Sequence, residues 1–163
     1  MSSSQSAIEQ AIHAAASRFA SHVPYAKDIG LAMDVVGPDG IRMRIPPNPI
    51  LASDASGRFF FPGVLFSLAD SACGVAVFRA RGQFEALATL DMRIDHLAPA
   101  TMDADLIADA HCTRITKDVA FTRCEVRCGK DQRIVAVVVG AFMLSSSKLS
   151  PEFVRKMMGV EPA

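Results

Sequence analysis

The chain has 163 residues, half of them hydrophobic and 21% charged, with Lys plus Arg equal to Asp plus Glu at 17 each. That length suits one domain with a sizeable core, and the composition excludes general disorder. The balanced charge supplies no electrostatic footprint for nucleic acid, so no nucleic-acid partner is expected, although a local basic patch could hold a small phosphate ligand.

The opening residues, MSSSQSAIEQ, have no basic n-region and no long apolar stretch, so they do not read as a signal peptide and a cytoplasmic location is expected. Ser6-Ala-Ile-Glu9 is a capping-box pattern. Ile8, Ala11, Ile12, Ala15 and Phe19 follow at amphipathic spacing, which predicts a helical extension over residues 5–22. Two short extended runs, 29–36 and 40–45, flank Gly37-Pro-Asp-Gly40 and predict a hairpin. Residues 46–58 carry three prolines and several small polar residues, the composition of a loop.

The next segment is the most apolar of the chain. Pro62 suits a first helical position, Gly82 lies just past the end, and Arg79 and Arg81 sit in the last turn beside the negative dipole end. The pattern predicts a helix over 62–81, about 30 Å long. It is apolar nearly all round, so something must wrap it. Its length approaches a bilayer span, but Pro62, Gly63, Ser67, Asp70, Ser71 and Gly74 interrupt it. An Asp near a helix centre costs about 2.5–3.5 kcal/mol on insertion, so a soluble core helix and no membrane partner are expected.

Strands follow. In 86–97, Leu90, Met92 and Ile94 alternate with Thr89, Asp91, Arg93 and Asp95; 104–115 and 119–128 alternate similarly, and Gly129-Lys-Asp131 is a turn. The run 133–144 is apolar on both faces and reads as a central strand covered on both sides. SSSKLSPEFVRKMM closes the chain with a short helix or tail, placed over residues 149–159. One antiparallel sheet curled around one hydrophobic helix satisfies this order, an α+β architecture in a single domain over 1–163. Cys73, Cys112, Cys124 and Cys128 form no Cys-x-x-Cys pair, and the expected state is four reduced thiols with no metal.

Asp70 is the one carboxylate of the apolar helix. Burying an ionised carboxylate without partners costs several kcal/mol, of order 3–5, so either a hydrogen-bonded partner such as Ser67 or Ser71 or a chemical role is required.

Gly63-Val-Leu-Phe-Ser-Leu-Ala-Asp70-Ser71, followed by Thr89-Leu-Asp-Met-Arg-Ile-Asp-His-Leu-Ala-Pro99-Ala, resembles the hotdog-fold acyl-CoA thioesterases of the phenylacetic-acid-degradation (PaaI) type. Ala120-Phe121-Thr-Arg-Cys-Glu-Val and the closing Val-Ala-Val-Val-Val-Gly-Ala-Phe run extend the resemblance over roughly residues 45–144. It implies acyl-CoA thioester hydrolysis with Asp70 as general base or nucleophile and Thr89 holding the attacking water. At the helix start, Gly63 and Val64 offer unpaired N–H groups to the thioester oxygen with the positive dipole end behind them; Ser71, directly after Asp70, could orient substrate, and Phe61 could line an acyl or aryl pocket. Arg114 and Lys117 would meet the CoA phosphates. No cofactor or metal is implied; the partner is a second copy, in a homodimer or a dimer-of-dimers tetramer, with the site between protomers.

The sequence departs from the family where its helix usually opens with His-Gly-Gly after a loop Asn. Here those positions are Phe61, Pro62 and Gly63, with Ala55 in place of the Asn. Proline has no N–H to donate, and losing one oxyanion-hole donor typically costs about 10²–10³ in rate. The alternative reading is therefore a hotdog protein that binds acyl-CoA with little or no hydrolysis. His96 stands where the family has an aromatic residue and reads as structural. No Gly-x-Ser-x-Gly elbow supports a Ser-His-Asp triad.

Overall fold

The computed structural model of the chain describes residues 23–37, 40–82 and 85–148. The helix expected over 5–22 and the tail expected over 149–159 lie outside them. Pro24 opens a short helix, α1 (Pro24–Asp28), which Ala26, Ile29 and Leu31 anchor to the core. The hairpin of β1 (Ala32–Gly37) and β2 (Gly40–Ile45) turns where the Gly-Pro-Asp-Gly signal predicts, with Gly37 paired to Gly40. Gly40 has a packing reason as well: a Cβ there would meet the Ala110 carbonyl oxygen at 2.6 Å.

The loop that follows contains one 3₁₀ turn, Pro49–Leu51, capped by the Asn48 side chain, which accepts from the Ile50 N–H. Bridges Ala52–Phe60 and Phe59–Thr101 then tie down the approach to the long helix α2 (Pro62–Arg81). Its ends are those the sequence marks. Pro62 is the first helical residue after extended Phe61, and Gly82 closes the helix in the left-handed conformation at φ 64°.

β3 (Glu85–His96), β4 (Leu106–Ile115), β5 (Val119–Cys128) and β6 (Arg133–Lys148) complete a six-stranded sheet of order β1-β2-β4-β5-β6-β3, antiparallel at every pairing. α2 packs on one face of this sheet, a hotdog arrangement. Leu65, Leu68, Ala69, Ala72, Cys73, Ala76 and Val77 are buried against Ile41, Met43, Leu106, Val126 and Val138. Each large aliphatic enclosed this way contributes about 1.5–3 kcal/mol. Among the described residues α2 is the one helix long and apolar enough to cross a membrane, and its apolar side is the core of the fold.

Three expectations change. α2 is not wrapped all round: Gly63, Ser67, Asp70, Ser71, Gly74 and Phe78 form a half-exposed stripe at helical spacing. The last strand runs past residue 144, because Ser145 to Lys148 continue the ladder opposite β3, which reaches back to Glu85. And β6, although interior to the sheet, is covered on one face only; Val139 and Met143 point outward, 46% and 47% exposed.

Candidate active site

Asp70 lies on the half-exposed stripe of α2, so its carboxylate keeps contact with solvent instead of being enclosed. Its partner comes from the neighbouring strand: Thr89 Oγ1 donates to Asp70 Oδ1 at 2.8 Å. Simple alternation along β3 would not allow this, since it groups Thr89 with Asp91 and Arg93 on the face away from the helix. A β-bulge changes the count. Thr89 pairs with Phe142, whose side chain is buried on the helix side, whereas Asp91 pairs with outward-facing Ala141, and Leu90 is the extra residue between them. The bulge pushes Leu90 out to 54% exposure and turns Thr89 inward to the carboxylate. Met92 and Ile94 then resume the inward face opposite Gly140 and Val138.

Further along the stripe, polar groups are tied to the helix itself. Ser71 Oγ donates to Ser67 O at 2.9 Å, so Ser71, expected beside the substrate, is back-bonded within α2. Ser67 Oγ donates to Gly63 O at 3.0 Å and stands 3.1 Å from the Tyr25 hydroxyl. With its only hydrogen given to Gly63, Ser67 must accept, and Tyr25 must donate. Sequence reading did not single out Tyr25. No periodicity signals it, because α1 is only one turn long and contacts α2 from 42 residues away.

At the start of α2, Pro62 has no N–H and the Val64 N–H donates to Phe61 O at 2.9 Å. Of the two N–H groups expected to be open there, Val64's is therefore engaged, and Gly63's has no acceptor among the described residues. Of the three adjacent phenylalanines, Phe60 is core and Phe61 is 56% exposed, with its ring lying on Gly63. A Cβ at Gly63 would come within 2.8 Å of Phe61 Cε1, so the glycine is what lets the ring cover the helix start.

The remaining candidates lie apart from this cluster within one chain. Thr89, Phe142, Ala120 and Ile115 form one row across the sheet. Arg114 and Lys117, at the exposed end of β4 and the turn after it, are thus three strand spacings from Thr89, about 14 Å. His96 ends β3, seven residues beyond Thr89. Beneath Asp70, one turn along the buried face, Cys73 meets Cys124, and their hydrogen bond, together with burial, holds the Cys124 thiol far above its usual range. All four cysteines are free thiols, and no group of His, Cys, Asp and Glu able to hold a metal occurs among the described residues.

Residues 57–135 match the Thioesterase superfamily. Among solved structures, a Pseudomonas aeruginosa protein is 30% identical with a TM-score of 0.72, over 81% of this chain and 98% of that one. A thioesterase from Haemophilus influenzae shares the fold at 16% identity and TM-score 0.71, over 79% of this chain and 87% of that one. A mutant of the phenylacetic acid degradation protein PaaI from Thermus thermophilus does so at 24% identity and TM-score 0.62, over 74% and 97% of the two chains. No curated protein matches the sequence. The sheet, the helix it holds and the matched segment agree: residues 57–135 are a Thioesterase superfamily match set within a hotdog fold.

Proposed function

We propose that the protein hydrolyses acyl-CoA thioesters, in the manner of the PaaI-type enzymes, with Asp70 as the base. The observation that carries this reading is the 2.8 Å hydrogen bond from Thr89 to Asp70, made through the bulge in β3. The Thr89 hydroxyl occupies Oδ1 and orients the carboxylate, leaving Oδ2 to take a proton from water. That water forms the new C–O bond at the thioester carbonyl, the carbonyl oxygen becomes an oxyanion at the Gly63 N–H, and the helix dipole behind it favours the negative charge. Collapse breaks the C–S bond. The thiolate leaves, and the proton held by Asp70 passes to it or to solvent. Direct attack by Asp70, with water opening the resulting anhydride, gives the same products.

Asp70 lies seven positions after Gly63 along α2, an axial distance of about 10 Å. Donor and base must both reach one carbonyl group, so in this mechanism they come from two copies of the chain, as a homodimer or a dimer-of-dimers tetramer. Arg114 and Lys117, on an exposed turn, suit the CoA phosphates of a ligand bound across such an assembly. The four free thiols agree with a reducing compartment such as the cytoplasm.

A second reading, binding with little turnover, rests on the helix start, where Pro62 lacks an N–H and Val64's is engaged, leaving a single donor. The two separate in one experiment: release of free CoA from short, long and aromatic acyl-CoAs by wild type and Asp70→Asn. Hydrolysis by wild type with a loss of about 10² or more in the variant supports the enzyme. An inert wild type whose melting temperature rises with acyl-CoA supports the binder.

A further inference from the structure

We infer that Tyr25 is a positioning residue: its hydroxyl, acting through Ser67, fixes the direction of the Gly63 N–H. The inference rests on the thioesterase reading for what that N–H does, and it adds what keeps the group aimed.

The start of α2 is loosely held by its own residues. Phe61 precedes it without a side-chain cap, and Pro62 brings no N–H. A helix start without a cap frays. The one free donor then belongs to a glycine, the residue with the most backbone freedom. Exchanging the glycine would push away the Phe61 ring, which a Cβ at 63 would meet at 2.8 Å. Its freedom has to be limited by its neighbours instead.

Two carbonyl groups flank the Pro62–Gly63 peptide that carries the donor, and both are held. Phe61 O accepts from the Val64 N–H at 2.9 Å, and Gly63 O accepts from Ser67 Oγ at 3.0 Å. A serine hydroxyl alone is a weak tether, because it rotates to suit any acceptor, water included. Tyr25 removes that choice. Its hydroxyl, 3.1 Å from Ser67 Oγ, gives Ser67 a proton to accept, so Ser67 keeps its own for Gly63 O. Tyr25 is itself firmly mounted: Ala26 and Ile29 are buried beside it, and the Ile29 N–H donates to Tyr25 O at 3.0 Å. Its ring is 55% exposed, so the hydroxyl rather than apolar burial ties it to α2.

The test reads the Gly63 N–H directly. Pro62-Gly63 is the one Pro-Gly pair of the sequence, so labelling proline carbonyls and glycine nitrogens with NMR-active isotopes isolates the Gly63 amide signal. Its order parameter is expected near about 0.85 in wild type, falling below about 0.6 in Tyr25→Phe and in Ser67→Ala. Tyr25→Phe should also lower kcat for CoA release about 3- to 10-fold, the range of one neutral hydrogen bond, with KM held within about twofold. The double variant should be no worse than Ser67→Ala alone, because both substitutions break one chain of bonds. An order parameter that stays at the wild-type value in Tyr25→Phe overturns the inference. So do additive losses in the double variant, or a raised KM at constant kcat, which would mark Tyr25 as a substrate contact. Hydrolysis by wild type with Tyr25→Phe unchanged in both readouts sinks the inference alone. A wild type without hydrolysis, whose Gly63 order parameter still falls in Tyr25→Phe, supports the tether and sinks the thioesterase reading.

Discussion

Pro62 is the residue on which the chemistry of the helix start turns. It fixes the first turn of α2 at low entropic cost, and it removes the N–H that a glycine would offer there. Phe61 then lies on Gly63, closing an apolar wall around the donor that is left. Restoring the missing group tests how much this matters. Pro62→Gly is expected to raise kcat for acyl-CoA hydrolysis about tenfold or more, part of the 10²–10³ typical of one oxyanion donor. The same change should lower the melting temperature by a few degrees, since glycine loses about 0.5–1 kcal/mol in backbone entropy. Steady-state kinetics and a thermal melt on the one variant read both effects. An unchanged or lower kcat would mean that Gly63 suffices or that the donors lie elsewhere.

At the scale of elements, the bulge in β3 does what side-chain choice alone cannot. Thr89→Val is expected to leave the bulge and the ladder with β6 in place, since valine has nearly the same shape and suits a strand. Asp70 would then lose the hydroxyl that donates to it. A hydrogen bond to a charged group contributes about 1.5–3 kcal/mol, so the loss should reach roughly 10- to 100-fold in kcat with circular dichroism unchanged. Full activity in Thr89→Val would show that the hydroxyl is not needed where it stands. The contrast between α2 and β3 explains what could be read beforehand. Pro62 and Gly82 are local signals, and the helix begins and ends where they stand. The face of Thr89 is a matter of register with β6, fifty residues away, and nothing near Thr89 announces a bulge. The half-open stripe was hidden for a related reason, because Gly63, Ser67 and Gly74 look like mere interruptions until the sheet is seen to cover one side only. Tyr25 reaches the site through a tertiary contact with no sequence pattern at all.

Across the whole molecule, the thiols report on how the sheet and helix close. Cys73, Cys124 and Cys128 are fully enclosed, and Cys112 is half-buried with its thiol pushed up by desolvation. A raised thiol holds less thiolate at any given pH than it would unfolded, and the thiolate is the reactive form. Native protein should therefore modify slowly and at Cys112 first, with a rate still climbing above the ordinary thiol range. All four should react together in denaturant. Mass-resolved alkylation against pH checks this, and fast modification of Cys73 would mean that α2 lifts from the sheet more readily than its packing implies.

The seven-position offset between Gly63 and Asp70 has a genetic consequence. A protein whose site is divided between chains can be rebuilt from two broken halves. Asp70→Asn keeps its helix start and Gly63→Pro keeps its carboxylate, and each alone should be inactive. Unfolded together and refolded, they form mixed pairs in which one of the two sites is whole, about a quarter of wild-type activity at equal amounts and random pairing. Mixtures that stay dead would place donor and base in one chain after all. Recovery would mean that selection on this protein acts on pairs of chains, so that an inactivating allele can be masked by a second one damaged elsewhere.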